Sequence, residues 1–121
     1  VKQAILFEGP SKTTEKMYIV TEGYPLEVLV SLKDWKKVKD HSGKISWIES
    51  KNTHDERTVL IVKDDAVIFN QANENSHKLA NVDKFVVLKL NSSMLVGNWA
   101  QVKTQIEGLI GFVNAREVWG L

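Results

Sequence analysis

Residues 31–50 read SLKDWKKVKDHSGKISWIES, and residues 97–115 read GNWAQVKTQIEGLIGFVNA. Each stretch carries a tryptophan, then Val-Lys three and four residues on, then a glycine, then an aromatic–aliphatic pair (Trp47-Ile48, Phe112-Val113). Working outward, Ala4-Ile5-Leu6-Phe7 matches Ala66-Val67-Ile68-Phe69, Leu26-Glu27-Val28 matches Val86-Val87-Leu88, and Asp34-Trp35 matches Asn98-Trp99. Gly43 matches Gly108, and the offset drifts between 60 and 65. The same residue types in the same order mark an internal repeat. The drift reads as a shorter first loop in the second copy and a longer later one at NSSMLVG (91–97). Two domains are therefore expected, 1–62 and 63–121, joined near Lys63-Asp64-Asp65.

The units of the repeat are strands. MYIVTEG, PLEVLVS, WKKVK, KISWIES and RTVLIVK alternate or are rich in β-branched residues, with Gly, Pro, Asp and Ser between them. Only SHKLANVDKFVVLKL could pass for a helix, and its Val-Val pair and Phe favour strand. Short strands with close turn signals predict an all-β chain of two tandem small β-barrels.

Composition narrows the function. Hydrophobic residues make up 43% and charged residues 26%, an ordinary balance for a folded chain. The formal charge is +1, with ten basic and nine acidic residues in 1–62 and six of each in 63–121. Such a balance gives no global pull toward nucleic acid or an anionic membrane. Lys33, Lys36, Lys37, Lys39 and Lys44 do surround Trp35, but Asp34 and Asp40 interrupt them and the second copy lacks them, so no nucleic-acid partner is expected. Apolar runs such as Val59–Val62 are far short of the roughly 20 residues of a membrane span, and none is expected. The chain starts at Val1 rather than Met, which reads as the removal of an upstream segment.

Catalytic patterns are missing. There is no cysteine, so thiol catalysis and thiolate metal sites are excluded. His41, His54 and His77 lack metal-ligand spacing, and His54-Asp55-Glu56 lies in a polar loop where solvated turn residues are the default. His41, in the turn KDHSGK, is expected on the surface. No Gly-x-Ser-x-Gly elbow or Gly-rich phosphate loop occurs. The reading is a non-catalytic protein with no cofactor and no metal.

The turn–strand–Asp-Trp-x-x-Val–hairpin–Gly–Trp-Ile pattern resembles the bacterial SH3-like (SH3b) domain, and the whole chain resembles a family of tandem, largely uncharacterised bacterial SH3-like proteins. The resemblance rests on Gly9-Pro10, Gly23-Tyr24-Pro25-Leu26-Glu27-Val28, Asp34-Trp35-Lys36-Lys37-Val38, Trp47-Ile48, Arg57-Thr58 and Trp119-Gly120. It implies two tandem SH3-like barrels in a cell-envelope protein, periplasmic or secreted. Three positions depart from the family pattern: Ser46 stands where a Gly is usual, Phe112 where a Trp is, and Phe7 where an Arg is.

Strand parity then orients the aromatics. Trp35 and Val38 lie on opposite faces, as do Trp47 and Ile48. With Val38 and Ile48 in the core, both tryptophans point away from it, and Lys36, on the core face, snorkels at the strand end. The resemblance implies that the Asp-Trp position opens onto a groove beneath the loop from Glu8 to Glu22. The expected ligand-binding set is Trp35, Tyr18, Tyr24 and Trp47, with Lys36 and Lys37 at the rim and Trp99 as the second-copy counterpart. An aromatic-lined groove suits an extended peptide or the peptide part of peptidoglycan. The alternative is a structural or interaction scaffold in which the aromatics pack the lobes or meet a partner, since a barrel of about 60 residues is marginal alone.

Overall fold

The structure, a computed structural model, describes residues 2–104 and 108–121; Val1, on which the removed upstream segment was read, lies outside the described residues. It is all-β, with two compact units, Val1–Glu56 and Arg57–Leu121.

The first unit holds β1 (Gln3–Phe7), β2 (Lys16–Thr21), β3 (Glu27–Ser31), β4 (Trp35–Lys39) and β5 (Ile45–Glu49), then a 3-10 turn at Ser50–Asn52. All pairings are antiparallel, in the order β2-β1-β5-β4-β3. Alternation sets Leu6, Val38 and Ile48 into the buried cluster, with Ala4, Val20 and Leu26 against it.

The second unit begins with β6 (Thr58–Ile61), continues with β7 (Ala66–Phe69), β8 (Lys78–Val82), β9 (Val87–Leu90), β10 (Trp99–Lys103) and β11 (Ile110–Asn114), and ends with a 3-10 turn at Ala115–Glu117 and β12 (Val118–Trp119). Its order is β12-β6-β9-β10-β11-β7-β8. The last five repeat the first unit strand for strand. These are two SH3-like units whose sheets stay open rather than closing into barrels. The strand after the first 3-10 turn, β6, does not return to its own sheet; it pairs with β9. For the same reason the units divide at 56/57, six residues before the expected 62/63. SHKLANVDKFVVLKL supplies β8 and β9, as its Val-Val pair favoured.

The register corrects the alignment of the repeat. Phe7 pairs with Lys16 and Phe69 with Lys78, so the first loop has eight residues in both units, 8–15 and 70–77, and is not shortened. Glu27 pairs with Lys39 and Lys89 with Lys103, so Glu27 corresponds to Lys89 and Leu26 to Leu88, not to Val86. The offset is 62 through three strands, then 64 after the longer loop before Trp99, then 65 after the hairpin. A two-residue slip keeps every side chain on its own face, and so leaves the hydrophobic pattern unchanged.

Positions without sequence identity also repeat. The Thr14 hydroxyl accepts from the Gly9 amide at 3.2 Å and donates to the carbonyls of Gly9 and Ser11 at 3.1 and 2.7 Å. The Ser76 hydroxyl does the same with Gln71 and Asn73 at 3.2, 3.2 and 2.8 Å. Gly23 (φ 86°) has as its counterpart Phe85 (φ 71°), a bulky residue in the left-handed region.

Candidate functional site

Trp35, Trp47 and Trp99 all lie on the face opposite the buried core residues of their strands. Val38 and Ile48 are buried, while Trp35 and Trp47 are half-buried on the opposite face. There the Trp35 indole meets the buried Phe7 ring edge-on, with centroids 5.4 Å apart and planes at 83°. Trp99 meets Phe69 in the same way at 5.5 Å and 89°. Phe7 is cross-strand partner to Trp47, and Phe69 to Phe112, so each unit carries three aromatics on one face of adjoining strands. Phe7 supplies the second ring.

Around this aromatic floor stand charges that arrive from distant parts of the chain. In the second unit a cleft of 290 Å³ is lined by Phe69 and Trp99 together with Lys63, Lys78, Arg116 and Glu117, among others. Arg116 pairs with Glu74 of the first loop at 3.7 Å, and Lys63 with Glu117 at 3.4 Å. The first unit repeats the arrangement with different residues. Lys12 of the first loop pairs with Glu49 at 3.7 Å, and Lys51 of the 3-10 turn pairs with the same carboxylate at 3.6 Å. Lys16 and Lys78 are cross-strand partners of Phe7 and Phe69, on the aromatic side of the sheet. Exposed pairs of this kind contribute little to stability, typically ~0–1 kcal/mol, so their cations stay available to an anionic ligand. The second unit's cleft carries three cations, Lys63, Lys78 and Arg116, against Glu74 and Glu117, and in the first unit Lys12, Lys16 and Lys51 stand against Glu49 beside the tryptophan–phenylalanine pair.

The expected set therefore separates into four places. Trp35, Trp47 and Lys37 share one face, since Lys37 is the cross-strand partner of Trp47. Lys36 lies on the core face and turns to the strand end, where its Nζ donates to Thr53 Oγ1 at 3.1 Å. Tyr18 is the cross-strand partner of Leu6, which sets it on the core side rather than with Trp35. Its ring lies 5.0 Å from Lys44 Nζ. Tyr24 reaches the same hairpin: its hydroxyl contacts His41 Nδ1 and accepts the His41 amide at 3.3 Å. His41 is accordingly half-buried, not a free surface residue. Burial pushes the Tyr24 hydroxyl pKa up, helped by the Asp40 charge and opposed by the His41 amide. Trp99 stands in its own cleft.

Lys12, Lys16 and Lys51, and in the second unit Lys63, Lys78 and Arg116, escaped the sequence reading. Their common signal was only that each lies one turn or one strand end away from the aromatic positions in the fold. The structure assembles the second unit's cations from three separate segments, those of Lys63, Lys78 and Arg116. Among the described residues no group of three His, Asp or Glu side chains could hold a metal.

An open antiparallel sheet in this strand order, with a 3-10 turn after its last hairpin, defines an SH3-like unit. Residues 1–55, which span the first unit's five strands, match the profile described as bacterial SH3 domain. No curated protein matches the chain. Among solved structures it is similar to NlpC2 from Trichomonas vaginalis, at 12% identity and a TM-score of 0.46, over 96% of this chain and 43% of that one. It is also similar to NlpC1 from Trichomonas vaginalis, at 11% identity and a TM-score of 0.46, over 98% of this chain and 42% of that one. The chain spans less than half the length of either. Among the described residues no helix is long and apolar enough to cross a membrane.

Proposed function

We propose that the protein is a non-catalytic, cell-wall-associated binding module, acting in the periplasm or outside the cell. Its ligand is an extended peptide bearing a carboxylate, such as the peptide part of peptidoglycan. One observation carries the reading: the edge-on tryptophan–phenylalanine floor with a cationic rim occurs in both units, built from different charged residues. Core packing alone asks for no such rim. The apolar part of the peptide lies on Trp35 or Trp99, and its carboxylate meets Lys16 or Lys78. An open cleft of this size gives weak binding, on the order of micromolar or poorer.

The test is pull-down on purified peptidoglycan together with NMR titration of muropeptides. One tryptophan in a small interface carries most of the affinity, so Trp35→Ala and Trp99→Ala should each abolish binding to their own unit. Lys16→Glu and Lys78→Glu should weaken binding and reduce its salt dependence. Muropeptide shifts that avoid both tryptophans, or affinity that survives both alanine variants, would overturn the assignment.

A further inference from the structure

Strand β9 lies inside its sheet, whereas its counterpart β3 ends one. Along the outer side of β9 runs β6, whose residues Thr58, Val59, Leu60 and Ile61 are all buried. The Ile61 amide donates to the Val86 carbonyl at 3.0 Å, and the Leu90 amide to the Arg57 carbonyl at 3.1 Å. Backbone groups alternate along a strand, so those of Val86, Leu88 and Leu90 face β6 and those of Val87 and Lys89 face away. This pairing is why β9 begins two residues earlier than β3 in the shared register.

In the first unit the corresponding residues are Tyr24, Leu26 and Val28, and among the described residues no strand covers them. Pro25 takes the place of Val87, where the N–H would point inward, so its missing donor removes nothing from the outer edge. Every residue of β3 is exposed, with Val28 at 49%, Leu29 at 39% and Val30 at 42%, and Leu32 follows at 49%. Sheet edges are ordinarily guarded by charge. The edge strands β2 and β8 carry a lysine at their first position (Lys16, Lys78), but β3 carries only Glu27, held by Lys39 at 3.6 Å. The bulge at Leu29 ends the regular pairing, so the open segment is Tyr24–Val28, about the length that β6 covers on β9.

We propose that this edge takes up an extended peptide from another chain, added antiparallel beside Tyr24–Val28 as β6 is added beside β9. The molecule itself shows the chemistry of the occupant: β-branched and aliphatic residues in an unbroken run of four, with charge only at the flanks. Thr58 sits opposite Lys89 in the second unit; opposite Glu27 a hydroxyl or cationic residue is favoured. The site is separate from the tryptophan clefts and does not depend on their function.

The probe is the capped heptapeptide of sequence Arg57–Lys63, RTVLIVK, titrated into the full chain. Hydrogen exchange at the Leu26 and Val28 amides should slow at least about tenfold at saturation, with the Trp35 and Trp99 indole signals unmoved. Methylating the peptide nitrogen equivalent to Val59, which faces the edge, should weaken binding about tenfold or more; methylating that of Leu60, which faces away, should do so far less. Equal binding by both methylated peptides overturns the proposal, as does protection at Val86–Leu90 instead. A dimer in sedimentation that protects Leu26 and Val28 without peptide also overturns it, and assigns the edge to a second copy.

Discussion

The first unit buries a cluster of three side chains, Leu6, Val38 and Ile48; the second buries nine around Ile68, Val102 and Val113. Five strands are laid out alike in both, and half of the difference comes from what is added; Ala66, Leu88 and Ala100, on the shared strands, make up the rest. Val59, Ile61 and Val118, on β6 and β12, all join the second cluster. Both strands that follow a 3-10 turn therefore serve one sheet. The first sheet is left with β3 as an edge and with the smaller core. A repeat can thus conserve its folding pattern while giving one copy the stability and the other the exposed surface.

Large-to-small changes at matched core positions test this first. Leu6→Ala and Ile68→Ala should each cost about 2–5 kcal/mol, read by denaturant midpoint. Amides of β1, β4 and β5 should exchange faster than those of β7, β10 and β11 in the unmodified protein, since fewer buried contacts hold them. Equal protection in the two sheets would break the comparison.

A smaller effect is expected where the copies differ by a hydroxymethyl group. A Cβ on Gly111 would stand 2.5 Å from Ile68 Cγ2 and 2.8 Å from the Phe69 carbonyl oxygen. Ser46, at the same place in the first unit, is buried at 2% exposure beside Leu6, which has no β-branch. Gly111→Ser should cost about 1–3 kcal/mol by overpacking, and Ile68→Leu should recover part of it. No loss in Gly111→Ser, or no recovery in the double variant, would show that the β-branch is not what demands glycine.

Phe85 gives a change of opposite sign. Its left-handed backbone costs roughly 1–2 kcal/mol in a side chain of this kind, whereas Gly23 holds the same turn freely. Phe85→Gly should therefore raise the second unit's stability by up to about 1 kcal/mol, after the entropy of glycine is offset. A lowered midpoint would mean that the ring, which lies 5.1 Å from Lys84 Nζ, contributes more than the strain.

The smallest effect belongs to the first unit's hairpin. Burial alone would raise the Asp40 pKa, but hydrogen bonds from the Ser42 hydroxyl at 2.6 Å and from the amides of Lys44 and Ser42 outweigh it, and the net shift is downward. A depressed carboxylate stabilises the folded state above its unfolded pKa, about 3.9, and this is lost as pH falls through the lower folded value. Protection of hairpin 40–44 should drop below about pH 4 and lose that dependence in Asp40→Asn.

By itself the sequence determined the strand content, the repeat, the outward tryptophans and the buried Val38 and Ile48, because all of these follow from period-2 alternation within single short segments. Alternation also explains its one concealed error, since a slip of two residues at Leu26 leaves each face unchanged. The tertiary structure decided what alternation cannot encode. Which sheet receives β6 depends on hydrogen bonds between strands some 30 residues apart, and the motif RTVLIV reads the same in either sheet. The separation of Tyr18 from Trp35 depends on the register of β2 on β1, and the rim cations come from loops and strand ends that meet only when the sheet is assembled. Local pattern fixes which way a side chain points; only strand pairing fixes what it points at.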